Sequence, residues 1–175
     1  PTRADMGLPD DAFVFCSFNA AHKVTRFSFE RWLEILKQTP NSVLWLLDYN
    51  AETNARLRAY ASARGVAGER LIFAPKIANP RHLARYPLAD LFLDTVPYGA
   101  HTTASDALWM GVPVLTLMGR SFASRVCGSL VRSAGLPELV CDTPEEFVTR
   151  GIALAGADRL SLRAYRERLV ANRDT

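Results

Sequence analysis

LFLDTVPYGAHTTASDALWMG, Leu91 to Gly111, holds the fold in miniature. An apolar strand runs into a loop containing Gly99, and His101-Thr102-Thr103 then opens a helix that carries Asp106 in its first turns and stops at Gly111. A strand feeding a helix entry of small and hydroxyl side chains leaves backbone N–H groups unpaired at the helix start, which is how α/β proteins hold a phosphate.

The same alternation extends in both directions. Upstream, Ala12 to Phe18 is an apolar, aromatic run after the turn signal Leu8-Pro9-Asp10-Asp11, and Phe29, Trp32, Leu33 and Leu36 fall at helical spacing before Pro40-Asn41. Further strands are expected at Ser42 to Asp48, Leu71 to Phe73 and Asp90 to Asp94, with helices over Glu52 to Arg64 and near Pro80 to Arg85. Downstream come a strand at Pro113 to Leu117, a helix over Ser121 to Ala134, a short strand at Leu139 to Cys141, and helices over Pro144 to Ala155 and Leu160 to Ala171. Strands that read as continuous apolar runs between helices predict a parallel sheet covered on both faces. The expected fold is α/β, a Rossmann-like doubly wound sheet, and such sheets bind ligands at the carboxyl ends of their strands, where strand order reverses.

Composition limits what surrounds that sheet. A chain of 175 residues, 49% of them hydrophobic, buries roughly 70% of the surface of its unfolded form, enough for one core. No repeat or linker interrupts residues 1–175, so a single domain is expected. A net charge of +3, dispersed along the chain, gives no nucleic-acid footprint. No signal peptide opens the chain and no apolar run approaches the roughly 20 residues that span a bilayer, so a membrane is not an expected partner. Cys16, Cys127 and Cys141 are few, far apart and set in apolar runs, which fits a reducing cytoplasm better than a disulfide framework or a metal site. The chain begins at Pro1 without an initiator Met, and is expected to be part of a longer polypeptide.

Several side chains are candidates for chemistry. Thr102 and Thr103 can donate hydroxyl protons to an anion already facing the first-turn N–H groups, although spacing alone favours a plain N-cap. Asp106 lies one turn on, where a carboxylate could accept from both hydroxyls of a ribose. Lys23, in the loop after the first strand, offers a point charge for a diphosphate, with a solvated loop lysine as the bland alternative. His82 could stack on a flat base, though a lone His is more often a surface or capping residue. Gly119 to Arg125 forms a second glycine-led helix entry whose N–H groups could hold another part of a ligand. Ser121 as a cap and Arg125 paired with a structural carboxylate is the preferred account there. Nothing has the spacing of a Zn or Ca site, a G-x-S-x-G elbow or a Walker loop.

Taken in order, GLPDDAFVFCSFN, SVLWLLD, RLIFAP, ADLFLDT, HTTASDALWMGVPVLT and ASRV resemble the C-terminal catalytic lobe of the O-linked N-acetylglucosamine transferases and their Spindly-type relatives. The resemblance covers nearly the whole chain. It implies the C-terminal half of a GT-B glycosyltransferase, a nucleotide-sugar-binding domain whose N-terminal lobe and tetratricopeptide repeats lie elsewhere in the polypeptide. It implies inverting transfer of N-acetylglucosamine from UDP-GlcNAc to Ser or Thr hydroxyls of an acceptor protein, without a metal or other cofactor. Lys23 and His101 would be the catalytic residues, and Lys23 with His101, Thr102 and Thr103 would hold the diphosphate. Asp106 would bind the ribose, His82 would stack on uracil, the backbone at Ile77 would meet the base edge, and Tyr98 would lie near the sugar. Two positions depart from the animal enzymes: Ala20 stands where they have a glutamine and Asn79 where they have a lysine. GDP-fucose or UDP-glucose as donor therefore remains open, as do a non-catalytic protein-binding module and, with no acid and base carboxylates identified for it, a sugar-nucleotide epimerase.

Overall fold

A computed structural model of the chain describes residues 1–173. Six parallel strands form one sheet: β1 (Phe13–Ser17), β2 (Ser42–Leu47), β3 (Leu71–Ala74), β4 (Leu91–Leu93), β5 (Val114–Leu117) and β6 (Val140–Cys141), in the spatial order 3-2-1-4-5-6. Every residue of β1 and β4 is buried, as expected of central strands covered on both faces. The helices are α1 (Arg26–Gln38), α2 (Ala51–Ala63), α3 (Asn79–Arg85), α4 (Thr102–Trp109), α5 (Phe122–Ser133), α6 (Pro144–Ala155) and α7 (Arg159–Ala171). The expected elements are all present, with ends displaced by a residue or two.

Strand order explains how the helices are shared out. The chain walks outward from β1 to β3 in one direction and from β4 to β6 in the other, so right-handed crossovers place α1 and α2 on one face and α4 and α5 on the opposite one. α6 returns to pack against α1, and α7 closes against α4 and α6. Local chemistry starts and stops these helices. Thr25, Asn50, Ser121 and Thr143 cap α1, α2, α5 and α6, each accepting from an N–H three residues on, while Gly111, at φ +78°, turns the chain out of α4. Phe29, Trp32, Leu33 and Leu36 form the buried stripe of α1. Among the described residues no helix is long and apolar enough to cross a membrane.

The reversal of strand order falls between β1 and β4, neighbours in the sheet. The loops that leave them, Phe18 to Thr25 and Asp94 to His101, therefore emerge side by side.

Candidate functional site

Two polar residues at the ends of apolar strands organise this face. Asp94, 2% exposed, accepts from the N–H of Thr95 (2.8 Å) and of Ala100 (2.7 Å) through Oδ1, and from the Thr116 hydroxyl on β5 (2.7 Å) through Oδ2. Burial pushes its pKa up against the pull of those bonds. Asn19, also buried, donates to Thr95 Oγ1 (3.3 Å) and accepts from the Thr103 hydroxyl (2.8 Å), while its carbonyl accepts from Tyr49 (3.0 Å). One side chain thus ties the end of β1 to the loop after β4 and to the first turn of α4.

Lys23 reaches this frame from a single 3-10 turn, Ala21–Lys23. Its ammonium donates to the Gly99 carbonyl at 3.2 Å and stands 3.9 Å from the centre of the Tyr98 ring. Partial burial lowers the Lys23 pKa, opposed by the Asp94 carboxylate beneath it. Gly99 donates its N–H to the Ala123 carbonyl (3.1 Å), and the His101 Nε2 faces the same oxygen at 3.3 Å. A side chain at Gly99 would press on Asp94, its Cβ lying 3.1 Å from Oδ2. The Tyr98 and His101 rings meet edge to face at 5.2 Å, with Phe122, 81% exposed, 6.2 Å beyond His101. Lys23, Tyr98, His101 and Thr103 are therefore brought together.

The entry of α4 differs from a plain N-cap. His101 is the cap residue, with φ −110° and ψ −88°, and its side chain makes no cap hydrogen bond to the first-turn N–H groups. Thr103 turns its hydroxyl to Asn19 instead, and Thr102 is exposed. That leaves the positive end of the helix without a side-chain cap, an arrangement suited to an anion. Asp106, one turn further, makes no side-chain hydrogen bond among the described residues, and burial raises its pKa. It lies close enough to Tyr86 to push that phenol up as well.

The remaining candidates come from the segment after β3. His82 is half-buried on α3, with its ring 5.4 Å from Phe18 and 5.2 Å from Tyr86 and its Nδ1 2.7 Å from Arg85 Nη2. Tyr86 in turn points its hydroxyl at the Thr103 carbonyl, at 3.5 Å, so the His82 cluster abuts the α4 entry. Ile77 lies between β3 and α3, half-buried.

The second helix entry is partly as expected. Ser121 caps α5 by accepting from the Ser124 N–H (3.3 Å), but Arg125 is exposed and forms no ion pair among the described residues. The Gly119 N–H is already used, donating to the Ser124 carbonyl (3.2 Å). At the opposite end of the sheet, Arg3, Phe13, Asp90, Arg159 and Arg166 line a cavity of about 330 Å³. Its arginines are engaged with backbone carbonyls and Asp90, which leaves little to recognise a ligand.

Asn19, Asp94 and Arg85 are the side chains organising this face that sequence reasoning did not single out. A signal existed for two of them, since each is the first side-chain amide or carboxylate after a buried strand of a doubly wound sheet.

The family model for glycosyl transferase family 41 matches residues 1–175. The chain belongs to that family. An Arabidopsis thaliana protein, probable UDP-N-acetylglucosamine–peptide N-acetylglucosaminyltransferase SEC, is 40% identical over 100% of this chain. A Caenorhabditis elegans UDP-N-acetylglucosamine–peptide N-acetylglucosaminyltransferase is 40% identical over 91% of it. Among solved structures, an O-GlcNAc transferase mutant from Thermobaculum terrenum superposes with a TM-score of 0.88 at 36% identity, over 95% of this chain. The glycosyltransferase WaaG, at 18% identity and a TM-score of 0.73, shares the fold over 99% of this chain and 45% of its own. This family 41 chain spans 18% of the plant relative, 14% of the worm relative and 34% of the Thermobaculum chain.

Proposed function

We propose that this family 41 chain is the donor-binding lobe of a protein O-glycosyltransferase that moves N-acetylglucosamine from UDP-GlcNAc to Ser or Thr hydroxyls. The observation that carries the reading is the convergence of Lys23 and the uncapped entry of α4 at the point where strand order reverses, in a chain of this family. Lys23, His101, Thr102 and Thr103 hold the diphosphate, Asp106 takes the ribose, and His82 with the backbone at Ile77 receives uracil. Tyr98, 40% exposed beside Lys23, borders the sugar.

In the inverting reaction the acceptor oxygen attacks the anomeric carbon from the face opposite the diphosphate. The bond from that carbon to the diphosphate oxygen breaks, and UDP leaves with the electron pair. Negative charge grows on the leaving group, and this lobe meets it with an ammonium, a helix dipole and fixed N–H donors held in place before the reaction starts. These groups take the part a divalent ion would otherwise play, so no metal is required. The acceptor site and the group that receives the hydroxyl proton belong to the N-terminal lobe and the repeats of a longer, cytoplasmic polypeptide.

Thermal unfolding with UDP, with GDP and without ligand tests the reading. UDP at about 100 times its dissociation constant adds roughly 2.7 kcal/mol of stability, or about 5–11 °C in Tm for a domain of this size. Lys23→Ala and Asp106→Ala each reduce the shift. A shift with GDP alone would transfer the reading to a guanosine donor, and none with either nucleotide would refute donor binding by this chain. The chain by itself is expected to bind UDP but transfer little or no sugar.

A further inference from the structure

Arg85 is the one fully buried arginine of the described core, and among the described residues no carboxylate pairs with it. Its guanidinium lies 5.0 Å from the centre of the Phe18 ring and 5.9 Å from that of Trp45. Nη1 donates to the Pro75 carbonyl at 2.7 Å, Nη2 lies 2.7 Å from Nδ1 of His82, and Nε is buried without a partner. Burying a charge without a counter-charge is expensive, so this arginine calls for an account of what it holds. Its two good bonds bracket the Pro75 to His82 segment, which leads from β3 into α3 and contains Ile77.

A guanidinium has donors and no acceptor. Nδ1 of His82 must then be the nitrogen with the lone pair, and the ring proton sits on Nε2. We propose that Arg85 is a positioning residue for the nucleotide base, fixing His82 as the imidazole protonated on Nε2 and clamping both ends of the segment that meets the base. This inference rests on the UDP reading above and adds to it the side chain that sets the state of the stacking ring. Burial and the adjacent guanidinium both lower the His82 pKa, so a second proton at Nδ1 is opposed. The groups facing the ring are Arg85 on its own helix, the Tyr86 phenol just beyond, and the uncharged Phe18 ring after β1. A neutral ring stacks on a pyrimidine without trapping a charge in a dry contact, and its Nε2–H is left available as a donor.

Long-range proton–nitrogen NMR on the chain reads the tautomer directly. His82 should show an unprotonated Nδ1 and a protonated Nε2 at neutral pH, and Arg85→Met should release the ring to exchange between its two tautomers. Calorimetry with UDP and with inorganic pyrophosphate then separates base from phosphate. Arg85→Met is expected to weaken UDP about tenfold, in the middle of the range for coupled neighbours, and to leave pyrophosphate binding unchanged. Arg85→Lys, which can serve one partner but not both, should fall between. In a His82→Ala background the further loss from Arg85→Met should shrink to less than about threefold.

A proton on Nδ1 of wild-type His82, equal losses for UDP and pyrophosphate, or strictly additive losses would each overturn the assignment to Arg85. If Arg85→Met does not fold, the wild-type tautomer and the Arg85→Lys binding pair decide the matter. Failure of the wild-type chain to bind UDP at all refutes the nucleotide reading itself, an outcome distinct from a wrong tautomer.

Discussion

Removing the Asp94 carboxylate is the sharpest perturbation of the loop that carries Tyr98 and His101. Three donors converge on it at 2.7–2.8 Å, in a site 2% exposed. Asp94→Ala leaves two backbone N–H groups and the Thr116 hydroxyl unpaired. Each unmet buried donor costs about 1–3 kcal/mol, and partial relaxation brings the total to about 3–5 kcal/mol, the range for breaking a buried polar cluster by removing one member. That is a large part of the roughly 5–15 kcal/mol that holds a domain folded, and corresponds to about 6–20 °C in Tm. Asp94→Asn should be far milder, near 1 kcal/mol. Its amide oxygen can keep both N–H donors while the Thr116 hydroxyl rotates to accept from the new NH₂. Urea unfolding followed by circular dichroism measures both, with the midpoint moving at constant slope. If Asp94→Ala unfolds within about 0.5 kcal/mol of wild type, the carboxylate is not the anchor of the loop.

The same side chain gives a pH dependence of definite sign. Its pKa is raised in the fold above the 3.8 it has when exposed, so between those two values the native chain keeps a proton that the unfolded chain has lost. This carboxyl therefore makes stability fall as pH rises through that window, with no further change above it. Stability curves from about pH 4 to about pH 7 for wild type and Asp94→Asn should diverge with that sign, and the opposite slope would show a depressed pKa. Gly119→Ala places a Cβ 2.2 Å from Ser124 Oγ and should cost about 1–3 kcal/mol through the distorted start of α5; an unchanged Tm would show that the cap relaxes freely. Thr103→Val keeps shape but deletes the 2.8 Å bond to Asn19. About 1 kcal/mol of stability and part of the UDP-induced shift should go with it, and a full UDP shift would separate Asn19 from the site.

What was legible in the sequence is what is decided locally. Continuous apolar runs such as LFL and SVLWLL become buried strands, and Ser121 or Gly111 at a helix end acts through its nearest neighbours. The HTT turn was readable for the same reason, since its strand, loop and helix are adjacent in the chain. Contacts made across the sheet were not. Thr103 finds Asn19 from 84 residues away and Thr116 finds Asp94 from 22, because β1, β4 and β5 lie side by side, and no spacing announces that. The local view also misjudged the threonines as caps, since it could not show that Asn19 would draw the Thr103 hydroxyl away. Arg125 failed for the complementary reason, a carboxylate partner assumed where none of the described residues pairs with it.

Asp94 holds the loop only at its ends, through Thr95 and Ala100, and leaves Pro97 and Tyr98 exposed at the tip. Such a division separates the surface of the loop from the bonds that anchor it. Substitutions at Tyr98 can reshape the surface beside Lys23, whereas a change at Asp94 reaches Thr95, Ala100 and Thr116 at once. Variation of the surface beside Lys23 is therefore best sought at position 98, with the carboxylate–hydroxyl pair beneath the loop left alone.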